Sequence, residues 1–541
     1  MVFFHQLAGA VALASAASAA PSIAYEVDPS FPLAYVATLS EAASADTTVT
    51  WTRTDGKSAP TSYTIKAGAT RATLLRWTPK TAYSVVATGG AAGEQSITVG
   101  ATGIQDFDLS TPLVETVSGT PTFELLAFDG TGSRAGLAAV DREGWLVWYS
   151  QSDASAWDVV PHGGGGGNGN VTIASLATPG AHVEVNSGMQ ERSMTNALLA
   201  NVTDAALSHE AHVDTVDPAL PVLTLGADER AFANLTAPQK GNKLVRWDRA
   251  AGTTAPLAAL FDYFDPVRDH GACSTSAQAC GPASAVPGGG DSAAALAAAL
   301  PALPADDDEA STPADWAHAN AACRGYEGNY LMSARHLSAV VSWKSGAVAA
   351  GSVRELDFVM SGEGVRASLA PASTLYFGYD QESSRHYNQH CVRQLPNGNV
   401  MMFDNGDTRP AAQLDAKGRF SRLAEYKLDR AAGVATLVYE FRPMLNATHY
   451  QYSFHAGSIA RLTNGNTVGG FSCDSTAAHH DASGKLDCSH MAYEADKDGK
   501  ELARMRVPLP LVQPTSGPRG GAAGYRALPL TTLAGERRVP T

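Results

Sequence analysis

Histidine is the residue through which this sequence could do chemistry. Of its fifteen histidines, several fall in short clusters with acids, amides and arginine. These are Ser208-His209-Glu210-Ala211-His212-Val213-Asp214, Asp315-Trp316-Ala317-His318-Ala319-Asn320, Ser333-Ala334-Arg335-His336 and Arg385-His386-Tyr387-Asn388-Gln389-His390, the last running on to Phe403-Asp404-Asn405-Gly406-Asp407. A neutral imidazole attacks an electrophile without first losing a proton near pH 7, so it can act as a covalent relay. An arginine fork and protonated imidazoles hold the oxygens of an anion. Each residue also has a plainer reading. His318 beside Trp316, His390 and Arg335 could be packed residues with satisfied polar atoms, and His336, His386 and His455 could be supporting or surface groups.

Such clusters need strands to carry them. Residues 21–102 alternate polar and apolar side chains, as in Thr48-Val49-Thr50-Trp51, between Gly, Asp and Pro turns. That period marks half-buried strands. The stretch from Trp77 to Tyr83 resembles the tyrosine corner of fibronectin type III sandwiches, so a β-sandwich is expected here, with an extra propeller blade as the alternative.

Residues 103–541 carry a weak repeat. The segment Asp248-Arg249-Ala250-Ala251-Gly252 recurs as Asp429-Arg430-Ala431-Ala432-Gly433, with looser copies at 138–144, 342–346 and 495–499. A second unit, Leu395-Pro396-Asn397-Gly398-Asn399, is matched by Leu462-Thr463-Asn464-Gly465-Asn466. Both are hairpin signals, because Asn, Asp and Gly accept the positive φ that tight turns need. A lone four-stranded sheet cannot bury both faces, so such units stack radially into a propeller. The expected fold is therefore all-β, an amino-terminal β-sandwich followed by a six-bladed β-propeller. Blades of this length exceed the usual ~40–50 residues, and insertions must absorb the surplus. The glycine run 163–167 and the Ala, Pro and Gly tract 281–314 are two such insertions.

Composition narrows the function. Charged residues make up 17% and the net charge is −14, which leaves no basic footprint for nucleic acid or anionic lipid. The uncharged, apolar start with small residues at 17–20 reads as a signal peptide, residues 1–20, and a secreted or lumenal protein is expected. Four sequons, at Asn170, Asn201, Asn234 and Asn446, fit that route. No membrane span is expected, since the Ala-rich run near 293–303 is short and interrupted by Pro. Among six cysteines, a Cys473–Cys488 disulfide is expected, with Cys273 and Cys280 another short-loop pair. No metal or cofactor is expected. The acidic run 306–309 lacks the alternating ligands of a calcium loop, and His479, His480 and His490 near two cysteines fit a disulfide staple better than a metal.

Four motifs in order, DWAHAN at 315–320, SARH at 333–336, QH at 389–390 and LPNGNVMMFDNG at 395–406, resemble the bacterial arylsulfate sulfotransferase family over roughly residues 120–475. The resemblance implies the sandwich-plus-propeller architecture and transfer of a sulfuryl group from an aryl sulfate to a phenol without a nucleotide donor. It implies that His390 is the transiently sulfated nucleophile and that His318, Arg335 and His209 hold sulfate oxygens, with His212 an alternative to His209. His212, Asn320, His386 and His455 are carried as substrate-binding candidates. The family's short cysteine pair before the nucleophile has no counterpart here. The competing functions are a non-catalytic secreted propeller that binds glycan or protein, and a hydrolase, for which neither GxSxG nor a Cys-x-Pro-x-Arg signature is present. Oligomeric state is not readable from these residues.

Overall fold

The computed structural model describes residues 20–541 apart from 104–109, 130–136, 151–154, 164–169, 178–185, 205, 213–220, 234, 236–237, 270–313, 347–353, 454, 473–489, 508–525, 531–536 and 539–541. The expected signal segment, the low-complexity tract and the Cys473–Cys488 and Cys273–Cys280 pairs lie outside the described residues.

Two sheets open the fold. Ile23–Asp28, Phe31–Leu39 and Arg71–Leu74 form one, while Thr47–Arg53, Thr61–Ile65, Ala82–Gly89 and Gly93–Thr98 form the other. Alternation along Thr47–Arg53 places Val49 and Trp51 inward, where Trp51 stacks on Trp77 at 5.1 Å. The Tyr83 hydroxyl accepts the Thr78 N–H at 2.9 Å, which makes the tyrosine corner and identifies a sandwich rather than an extra blade.

Six antiparallel blades of four strands follow, two of them sharing one sheet, with Ala314–Asp315 added to the third and Glu115–Gly119 to the outer edge of the sixth. Blade one joins Leu125–Asp129, Leu137–Asp141 and Leu146–Tyr149 to the late strand Ala527–Leu530. Blade two runs from Ser155–Gly163 to Leu198–Val202, and blade three from Leu207–His212 to Thr253–Ala259. Blade four starts at Ala319–Arg324, blade five at His390–Gln394 and blade six at Ser458–Arg461. The first strands of successive blades pack against one another around a ring that Ala527–Leu530 completes. Strand Leu375–Tyr379 pairs in parallel with the outer strands of blades four and five and fuses them into one sheet of nine strands.

The repeat units occupy equivalent turns. In blades three and five, Asp248 and Asp429 each cap the turn by accepting two backbone N–H bonds, and Gly252 and Gly433 both sit at φ 65°. The two Asn-Gly pairs join the first and second strands of blades five and six.

Candidate active site

The inner strands are irregular where they reach the axis. Bulges interrupt the pairing of blade three between Ser208 and Ala211, of blade four between Ala319 and Ala321, and of blade five between His390 and Arg393. Non-glycine residues with positive φ fall at the same places: His209 at 48°, His318 at 45°, Cys391 at 50° and, before blade six, Ala456 at 57°. Each such conformation costs on the order of 1–3 kcal/mol, so the surrounding packing must hold it. In return a bulge re-aims a side chain that the regular alternation would send elsewhere.

These distortions gather His209, His318, Arg335, His390 and His455. The His209 and His318 rings meet edge to face at 5.2 Å, and His336 stacks on His318 at 4.6 Å. Arg335 opens the short 3-10 turn Arg335–Leu337, and its backbone N–H donates to the His318 carbonyl at 3.2 Å, which ties the two motifs together. Its guanidinium is held from behind by Asp407, Nη2 to Oδ2 at 2.6 Å, while the Tyr452 hydroxyl donates to the other Asp407 oxygen at 3.1 Å. Arg335 is near enough to depress the basicity of both His390 and His455.

His390 is buried and oriented from both sides. Its Nδ1 lies 2.7 Å from Oδ1 of Asn405. The Asn405 amide nitrogen donates to the carbonyls of Ser453 and Ala456 at 2.8 and 3.0 Å, so its oxygen faces the ring as an acceptor. Nδ1 therefore carries the hydrogen and Nε2 the lone pair. The Ala456 N–H points at that lone pair from 3.2 Å. Gly457 holds this turn in place: a Cβ there would fall 2.5 Å from the Phe403 ring.

Burial dominates the electrostatics. It drives His390 well below the ordinary imidazole range, with the Arg335 charge adding to it. His209 is pushed well down by burial and by His318. His455 and His336 fall to about 3, burial again leading, with Arg335 second for the former and His318 for the latter. Burial also lifts Asp407 to about 7 against the pull of Arg335. Burial thus favours the neutral form of His209, His336, His390 and His455.

Two sequence candidates lie elsewhere. His386 is completely buried under blade five, with Nδ1 2.6 Å from the Tyr379 hydroxyl and the Tyr426 ring against it. It belongs to the ion cluster around Asp404, because the strand that begins at His390 turns the chain toward the axis only after it. His212 is half-buried at the end of its strand, opposite Leu223, and the structure sets His209 rather than His212 against His318. Asn320 is buried close to the site as a brace: its amide nitrogen donates to the Gln389 carbonyl at 2.9 Å and fixes the residue before His390. Asn405, Asp407, Asp315 and Tyr452 had no role assigned from sequence. The three-residue step from Asp315 to His318 and the Asn-Gly-Asp run after the second strand of blade five were the available signals.

A model of the arylsulfotransferase family matches residues 117–508, from the strand Glu115–Gly119 that pairs with the outer edge of blade six, through blades one to five, to the end of blade six. The chain belongs to the arylsulfotransferase family. Membership makes it a transferase of the aryl sulfotransferase type, with small aryl sulfates and phenols as its substrate class. No curated protein matches the sequence. Among solved structures, a Bacteroides caccae protein of unknown function is similar at 12% identity and TM-score 0.37, covering 71% of this chain and 94% of its own. The virginiamycin B lyase of Staphylococcus aureus is similar at 6% identity and TM-score 0.30, covering 85% and 98%. Likenesses of that size add nothing to the arylsulfotransferase assignment. No helix among the described residues is long and apolar enough to cross a membrane.

Proposed function

We propose that this arylsulfotransferase moves a sulfuryl group from a phenolic sulfate ester to a phenol by a ping-pong route through a sulfohistidine at His390. The observation that carries this reading is the orientation of His390, whose Nδ1–H is fixed on Asn405 so that a neutral Nε2 faces the site. Nε2 attacks sulfur in line, the bond from sulfur to the aryl oxygen breaks, and a phenol oxygen later reverses the step. Sulfuryl transfer resembles phosphoryl transfer, with a loose transition state whose charge spreads over equatorial oxygens, so positioning and electrostatics supply most of the catalysis. Arg335, His318 and His209 surround those oxygens. The Ala456 N–H, already aimed at Nε2, becomes a backbone donor to the arriving group.

A propeller that only binds would have no use for a buried neutral histidine held at both nitrogens beside a tethered arginine. The decisive assay is 4-nitrophenyl sulfate with and without a phenol acceptor. His390→Ala should abolish nitrophenol release, and the wild type mixed with donor alone should yield a sulfuryl adduct on the peptide containing His390. Full transfer by His390→Ala would sink the covalent assignment. The apolar amino-terminal segment and the exposed sequons Asn201 and Asn446 support a secretory route, to be checked by the mature amino terminus and by glycosidase shift of the secreted protein.

A further inference from the structure

The departing aryl oxygen needs a proton, and the surroundings of His318 show where one is kept. Asp315 precedes His318 by one turn of chain, and its Oδ2 lies 2.5 Å from His318 Nδ1 while Oδ1 accepts the His318 backbone N–H at 3.2 Å. The same residue's carbonyl lies 2.7 Å from Nδ1 of His336, the ring that stacks on the other face of His318. Asp315 thus grips both rings and cannot turn away from either. The donor atoms of Asp315, His318 and His336 lie within 4.8 Å of one another, but both Nδ1 atoms are already spent on Asp315, which makes the cluster a hydrogen-bonded relay.

We propose that Asp315 is a positioning residue that keeps His318 protonated, and that His318 Nε2–H is the general acid for the leaving phenolate and the general base for the incoming phenol. The inference rests on the ping-pong reading above. In the first half-reaction the lone pair of His390 Nε2 forms the N–S bond, the S–O bond breaks with its electrons on the aryl oxygen, and that oxygen takes the proton of His318 Nε2. Phenol leaves and His318 is neutral. In the second half-reaction the acceptor hydroxyl returns a proton to His318 Nε2 as its oxygen attacks sulfur and the N–S bond breaks. Atoms and charge close over the cycle.

The groups facing His318 support this division of labour. His209 comes from blade three, His336 and Arg335 from the turn after blade four's second strand, His390 from blade five and His455 from the turn before blade six. Lys240 acts on Asp315 from blade three. These are cations or rings whose burial favours the neutral form, and the carboxylate bonded to His318 is that of Asp315. Burial works against that carboxylate, yet the charge and hydrogen bond of His318 hold it well below the usual range. The side chains of His318 and Asp315 are 16% and 19% exposed, unlike the sealed His390, which leaves a path for a proton to exchange with solvent.

The test is a series of aryl sulfates that differ in the acidity of the phenol released, from 4-nitrophenyl sulfate to phenyl sulfate, read as single-turnover phenol release. Nitrophenolate departs without a proton and phenolate does not. Asp315→Asn should lower release from phenyl sulfate by about a hundredfold or more but from 4-nitrophenyl sulfate by less than about tenfold, the usual span of acid catalysis. It should also move the alkaline limb of the phenyl sulfate profile to lower pH, with Asp315→Glu restoring part of both. Equal losses across the series, or an unmoved limb, would overturn the proposal. A second measurement needs no variant: the wild type should show a normal solvent isotope effect with phenyl sulfate and none with 4-nitrophenyl sulfate, and its absence with both would overturn the proposal as well. Wild-type protein that releases no phenol from any ester would instead bring down the ping-pong reading on which it rests.

Discussion

Two buried arginine–carboxylate systems stand one turn apart in the chain and are built to different standards. Asp404, under blade five, accepts Arg409 Nη2 at 2.6 Å, Arg422 Nε at 2.7 Å and the Tyr387 N–H at 2.9 Å. Arg422 goes on to Glu440 and to the carbonyls of Ser383, Ser384 and Arg385. Asp407, at the site, receives one arginine nitrogen and one phenol. Burial opposes ionisation in both, but the two arginines carry Asp404 below its ordinary range, while Asp407 ends at about 7. A network closed on every side fixes a fold. The more open one, around Asp407, joins the histidines of the candidate site.

Breaking the closed network should have the largest effect on the protein itself. Asp404→Asn leaves two buried guanidiniums without their shared counter-charge and should cost about 3–5 kcal/mol in urea unfolding. A loss under about 1 kcal/mol would erase the contrast. Breaking the open one should act on rate instead. Arg335→Ala should lower transfer by about two to three powers of ten, as for removal of a preorganised donor, with little change in the melting temperature because Asp407 can take up a proton when its partner goes.

Acid should act on the site as a graded effect. His209, His336, His386, His390 and His455 all bind protons less readily folded than unfolded. Below about pH 6.5 the unfolded chain therefore takes up protons that the folded one refuses, and stability falls as pH falls toward 4. Asp141 and Asp407, raised to about 7, pull the other way in that window, two groups against five. Urea midpoints at pH 7, 5.5 and 4.5 should descend in that order; a rise would reverse the assignment of neutral rings. The smallest change belongs far from both networks. Tyr83→Phe removes the corner hydrogen bond and should cost about 1 kcal/mol with transfer rates unchanged.

The sandwich and the hairpins were legible because their causes are local: alternation, a tyrosine five residues from the backbone N–H it accepts, and Asp or Asn before Gly. Histidines 209, 318 and 390 and Arg335 were found through family motifs, which name residues without saying what holds them. Asn405 and Asp407 escaped because partners of theirs come from neighbouring blades, and no periodicity records that; Asp315 lies three residues from His318, but its part shows only once the fold stacks His336 on that ring. His386 stands apart from the other candidates for a related reason. Four residues before His390 in sequence, it lies on the other side of a bend at Asn388, whose φ is 53°, and faces the tyrosines of blade five.

The ring closes with a strand made long after the rest. A ribosome that has passed residue 507 has synthesised every strand of blades two to six, yet blade one still lacks Ala527–Leu530, and the sandwich still lacks Arg537–Arg538 beside Thr61 and Ser62. Arg526, which donates to the Cys391 thiol at 3.0 Å next to His390, arrives in the same stretch. Assembly is therefore timed by synthesis: a nascent chain carries every histidine of the site while the wheel that aligns them is still open, so the site comes into being only after translation has moved well past it.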